Sequence, residues 1–270
     1  MLSPAARLPV IREIANASGA DGAVAGYIAP LAQRANHDVL NQPLERGMYA
    51  VASPNKKTVL RMAVFNTDEG GFPADSIARI LEERGTSPDV TTRIRATWSV
   101  CQFTFEAHDP MVVASMRFLQ NIVYRLGTLV DGLVADPVSE RYEFPAFFKP
   151  NFDDSGPVDI KQIVAVHASA ADRGVYTLGM QKLGLPEFEM ADLDADSVPL
   201  ATDFLLTCCQ AVLRDGVPES GHRLGSGDGQ FRIFPGGIDR ARWEGIACLG
   251  ILPEKSDASS TLRAWVSKKK

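Results

Sequence analysis

The chain reads as an α+β protein made of two ferredoxin-like α/β sandwich units, each a mainly antiparallel sheet with helices on one face, behind an N-terminal helical segment. Three observations predict this. Apolar residues switch between a period of two and a period of 3.6. Clusters of Gly, Asp and Pro punctuate the switches. An order of strand, acidic cap, helix, Asp-Gly stop and short strand occurs twice, loosely, as an internal repeat. With 270 residues, 45% hydrophobic and 23% charged, the chain is long enough to bury a core as one large domain or two small ones.

The elements follow in order. Residues 4–36 are Ala-rich, with Leu8, Ile11 and Ile14, then Val24, Ile28 and Leu31, at helical spacing; two short helices joined near Ser18-Gly19 are predicted. Thr58–Phe65 is rich in β-formers and runs into Asp68-Glu69-Gly70-Gly71, so it is a strand with a turn. Pro73 opens a helix carrying Ile77, Ile80 and Leu81, stopped at Gly85 and Pro88. Ile94, Trp98, Val100, Phe103 and Phe105 predict one long strand or a hairpin over 92–107. Asp109 then caps a helix whose first turn holds Pro110, with Val112, Met116, Leu119, Val123 and Leu126 on its core face; a short strand at 133–135 follows.

A loop from Pro145 to Pro157 marks the boundary, giving an N-terminal segment 1–50, units 51–150 and 151–255, and a polar tail 256–270. Beyond it, strands are predicted at 160–167, 175–183 and 188–193. Ser197 and Pro199 open a helix with Ala201, Leu205, Cys208 and Val212 on one side, and strands follow at 230–234 and 246–252.

Charge excludes one class of partner. Lys and Arg total 28 against 33 Asp and Glu, a net of −5 with no basic half, which argues against nucleic acid. The Lys268–Lys270 run reads as a solubilising tail. No apolar stretch reaches the length of a membrane span, and Arg7, Arg12 and Glu13 interrupt any signal-peptide core. Cys101, Cys208, Cys209 and Cys248 all lie in apolar segments without C-x-x-C spacing, so reduced core thiols in a cytoplasmic protein are expected.

The run V-Y-T-L-G-M-Q-K-L-G-L-P-E-F-E-M from Val175 to Met190, followed by a capped helix and an Asp-Gly stop, resembles a bacterial domain-of-unknown-function family, the four-two-six-one class, over residues 160–226. The resemblance implies an α+β fold in cytoplasmic bacterial proteins and carries no established active site.

Chemistry is sparse. Glu187 and Glu189, two apart, fall on one side of a strand and with Asp192, Asp194 and Asp196 make the densest acidic patch. As a calcium loop the patch fails: counted from Asp192, Ser197 stands where Gly belongs and Asp203 where Glu belongs. Charge at the helix start explains Asp194 and Asp196, and no metal or cofactor is expected. The four histidines are scattered: His37 in a loop, His108 at a strand-to-helix corner, His167 ending a strand, His222 among glycines. No H-E-x-x-H or G-x-S-x-G motif is present; Cys101 with His108 or His167 is the remaining catalytic constellation. The Gly225–Gly229 run precedes a strand and so reads as a hairpin rather than a phosphate cradle. Tyr142, Phe144, Phe147 and Phe148 form either a recognition strip or a cover for the seam between units.

The resulting expectation is a non-enzymatic interaction protein, of accessory or immunity type, that binds another protein through its sheet and aromatic loop. The alternative is a hydrolase with a His and acid site between the units. Oligomeric state is left open.

Overall fold

A computed structural model describes residues 1–16, 23–31, 39–109, 111–148, 158–170 and 173–267. The expectations for His37, Pro110, the centre of the 145–157 loop and the lysine tail lie outside these residues. The chain divides into two units: Met1–Asp136 with Tyr142–Val158, and Asp159–Lys270 with Pro137–Arg141.

In the first unit the elements are β1 (Leu2–Ser3), α1 (Ile11–Ala15), β2 (Tyr27–Pro30), β3 (Gly47–Ala52), β4 (Val59–Asn66), α2 (Thr67–Gly70), α3 (Ala74–Glu83), α4 (Pro88–Arg95), β5 (Ser99–Ala107), α5 (Val112–Leu129), β6 (Val134–Asp136) and β7 (Arg141–Glu143), the last of which begins at the unit boundary. Strands β2 to β5 form an antiparallel meander with β1 added beside β5. This order differs from the split βαβ pattern of a ferredoxin-like unit.

The meander is covered on both faces, not one. Because successive residues on a strand point to opposite sides, neighbours on β5 enter different cores. Cys101 joins Val51, Leu60, Met62, Ile122 and Leu126 in one cluster, whereas Val100 joins Ala78, Leu81, Val90, Ile94 and Leu133 in another.

Two predicted elements are corrected here. The second N-terminal helix is strand β2, so residues 27–30 belong to the sheet. The strand expected from residue 92 begins at Ser99, because α4 precedes it. Ser87 accepts from the Asp89 N–H at 3.3 Å and Pro88 sits at the helix start, a start signal that outweighs the β-branched residues after it. By contrast α5 forms over Val112–Leu129 with the predicted core stripe, although its N-cap is Met111 and not Asp109, whose carboxylate accepts from the Met111 N–H at 2.8 Å.

The second unit contains β8 (Ala165–Ser169), β9 (Gly174–Leu178), β10 (Glu187–Met190), α6 (Val198–Asp215), β11 (Arg223–Ser226), β12 (Gly229–Pro235), β13 (Cys248–Pro253) and α7 (Ala258–Ser267). Its sheet has the order β11-β12-β13-β10-β9-β8, antiparallel except for the parallel pair β10 and β13. That order again departs from the ferredoxin-like pattern, and from the first unit's.

Helices α6 and α7 lie on one face of this sheet. Phe204 on α6 meets Phe231 on β12 at 4.9 Å and Trp265 on α7 at 4.7 Å between ring centroids. The predicted loose tail is therefore largely this packed helix; Leu262 is fully buried. The opposite face carries no helix among the described residues. Replacing Leu262 with Ala should cost about 2–5 kcal/mol in a urea titration. A tail that packs loosely would change stability by less than about 0.5 kcal/mol.

Candidate functional site

The face of the second sheet opposite α6 and α7 is ordered by register. Antiparallel and parallel partners share a face, so His167 on β8, Tyr176 on β9, Glu189 on β10, Gly250 on β13 and Phe234 on β12 form one transverse row. Gly250 is required there by close approach: a Cβ would fall 2.2 Å from the Phe234 ring. His167 stacks on Tyr176 with centroids 5.6 Å apart. His167, Tyr176 and Phe234 are half-buried, and Leu252, two residues beyond Gly250, is exposed.

Glu189, predicted in the densest acidic patch, is buried in the middle of this row. A carboxylate removed from water must be satisfied by donors. Here the segment between β12 and β13 supplies them. The N–H groups of Ile238 and Asp239 (the latter at 3.0 Å) and Trp243 Nε1 at 2.9 Å donate to Oε2, and Arg242 Nη1 donates to Oε1 at 2.6 Å. Arg242 also lies with Cζ 4.4 Å from the centre of the Tyr176 ring, and its Nη2 reaches Ser169 Oγ at 3.2 Å and Asp239 Oδ2 at 3.4 Å. Trp243, itself buried, meets Tyr176 edge-on at 5.8 Å. Gly237 allows this approach: its φ is 67°, and a Cβ would stand 2.4 Å from the Trp243 ring.

Glu187 does different work. It accepts from Thr177 Oγ1 at 2.7 Å and from the N–H groups of Gly179 at 2.7 Å and Gln181 at 3.1 Å. Thr177 Oγ1 in turn accepts from the Phe188 N–H at 2.8 Å. The β9–β10 ladder pairs only Glu189 with Tyr176 and Met190 with Val175, and side chains complete the pairing where the ladder stops. Gly179, at φ 129°, leaves no room for a Cβ beside the Ile163 carbonyl.

The other predicted site residues do not assemble. His108 and Cys101 belong to the first unit, and His167 to the second. His108 is exposed and touches the edge of Phe105. His167 Nε2 pairs with the backbone carbonyl of Ser139 at 2.9 Å. Neither histidine bonds a carboxylate or thiol among the described residues. Ser139 is fully buried, with Lys182 Nζ at 2.7 Å from its Oγ; this resembles a serine–lysine pair, but the lysine also donates to the Ile163 carbonyl, and no substrate reaches a fully buried hydroxyl.

The aromatic strip is packed rather than presented. Phe148 is buried and Phe147 half-buried against Val123, Val134 and Leu119, and Tyr142 packs with Leu2 and Leu133. Asp194 does cap a helical turn, accepting from the Ser197 N–H at 2.9 Å. Its carboxyl is held below the usual range by the hydrogen bonds from Ser197 and Arg263. No cluster of three metal-binding side chains occurs among the described residues.

All four thiols are buried. Burial pushes Cys101 up from 9.0 to about 11. Cys209 is raised by burial and then by the neighbouring Cys208 and Glu187, and Cys248 by burial and then by Glu189 and Glu187. Such thiols are poor nucleophiles at neutral pH.

No protein-family model matches the chain, and no curated protein or solved structure matches it.

Three measurements check this description. A coloured thiol reagent at pH 8 should label none of the four cysteines in the native state and all four in 6 M guanidinium; rapid native labelling of Cys101 would contradict its burial. Because a raised thiol pKa favours the protonated fold, this contribution is intact below the unfolded pKa near 9 and is lost as pH rises toward 11. The urea midpoint should fall across that window. Separately, Glu189→Ala leaves Arg242 and three neutral donors without their acceptor and should destabilise by about 3–5 kcal/mol.

Proposed function

We propose that the chain is a non-enzymatic, cytoplasmic protein-interaction protein of accessory or immunity type, and that it meets its partner through the open face of the second unit's sheet. The observation that carries this reading is the transverse row of half-buried His167, Tyr176 and Phe234 beside exposed Leu252. Aromatic side chains with polar edges are the residues that dominate binding energy at protein interfaces.

The state of the reactive groups supports the same reading. Glu187 and Glu189 are engaged by backbone and side-chain donors, three thiols are raised, and the histidines lack an acidic partner among the described residues. The described residues include no helix long and apolar enough to cross a membrane.

Cross-linking capture followed by mass spectrometry tests the reading, with the full chain as bait beside its Leu252→Asp and Phe234→Ala variants. A partner protein recovered with the wild type should drop at least about tenfold with either variant. Equal recovery with all three baits, or turnover of an ester or amide panel by the purified chain, overturns it.

A further inference from the structure

Arg242 sits in a site built for a planar cation. Around its guanidinium stand Glu189 Oε1 at 2.6 Å, Ser169 Oγ at 3.2 Å, Asp239 Oδ2 at 3.4 Å and the face of Tyr176 at 4.4 Å. Two acids, a hydroxyl and an aromatic face are the complement of an arginine: charge, directed acceptors and a stacking surface. The side chain keeps 23% of its surface in solvent, so the site opens outward.

The neutral donors and the cation use different oxygens of Glu189. Glu189 Oε2 already accepts from Ile238, Asp239 and Trp243, three neutral donors that tie the segment to β10. A buried ion pair adds little net stability over well-packed apolar groups. On the Oε1 side the donor is a guanidinium, which balances the buried charge as well as completing its hydrogen bonds. Gly236, Gly237 and Gly245 bracket the segment at φ 98°, 67° and 76°, left-handed positions that favour glycine.

We propose that this is a guanidinium-recognition site in which Arg242 is the chain's own occupant, displaced when a partner protein inserts an exposed arginine between Glu189 and Tyr176. The inference rests on the open sheet face being the binding surface and names the chemistry it reads. Displacement exchanges one ion pair for another of equal charge, so the free energy of binding comes from the surrounding contacts while the site supplies selectivity.

The test needs no partner. Arg242→Ala vacates the site, and acetyl-arginine amide is titrated against this variant and the wild type by calorimetry, with acetyl-citrulline amide as the uncharged isostere. The variant should bind the arginine compound at least about tenfold more tightly than the wild type and than the citrulline compound, and Glu189→Gln added to it should abolish binding. No arginine binding, or equal binding of both compounds, overturns the inference. Should Arg242→Ala fail to fold, hydrogen exchange in the wild type decides: arginine amide must speed exchange over 238–245 and the citrulline compound must not, and identical exchange overturns it equally. Arginine binding by the vacated site alongside unchanged partner capture by Leu252→Asp would remove the interaction-surface reading and leave the site; the reverse pattern would do the opposite.

Discussion

The second unit is organised around one buried carboxylate. Glu189 stands in the middle of a sheet row, where an unpaired charge is intolerable, and the donors that satisfy it come from a segment about fifty residues further along the chain. Its demand explains several features at once. Trp243 is drawn inward to donate, Gly237 gives up its side chain to let the indole in, and Arg242 is brought flat against Tyr176. Without the carboxylate these residues would have no common reason to lie together.

Glu187, two residues earlier, solves a different problem with the same chemistry. The β9–β10 ladder stops short, and the N–H groups left over at Gly179 and Gln181 turn to its carboxylate while Thr177 serves both neighbours. The two acids thus close a sheet from within: one completes a failing ladder, the other fixes the connection that crosses to β13. Their charge also helps to raise the nearby thiols of Cys209 and Cys248, after burial has done most of it. The same residues that make the fold hold thereby keep its nucleophiles quiet.

Much of the fold was legible because periodicity is local. The core stripes of α5 and α6, the strand at 59–66 and the hairpin around Gly227 all follow from spacing and turn residues. The misreadings share a cause. In α4 the β-branched Ile94 argued for a strand from residue 92, but the Ser87 cap and Pro88 act on the backbone directly and outweigh a weak propensity. Over 256–270 the polar residues are real, but a helix needs only a narrow apolar stripe to dock, and Ala258 and Leu262, one turn apart, provide it. Strand order was not legible at all, because pairing depends on contacts distant in sequence.

The site was half legible for the same reason. That Glu187 and Glu189 share a side of a strand follows from the period of two; that both are buried does not, since a run of acids ordinarily signals solvent. A signal was present in the run itself. Glu187 and Glu189 alternate with Phe188 and Met190 on a strand whose apolar residues pack inward, so the acids occupy the other face, and with Gly179 and Gly184 close by there is backbone near enough to serve them. What sequence cannot supply is the partner: Arg242 and Trp243 lie in an irregular segment with no periodicity to mark them. Buried acids therefore announce that donors must exist, and only the fold says that one of those donors is an arginine stacked on a tyrosine at the open edge of the site.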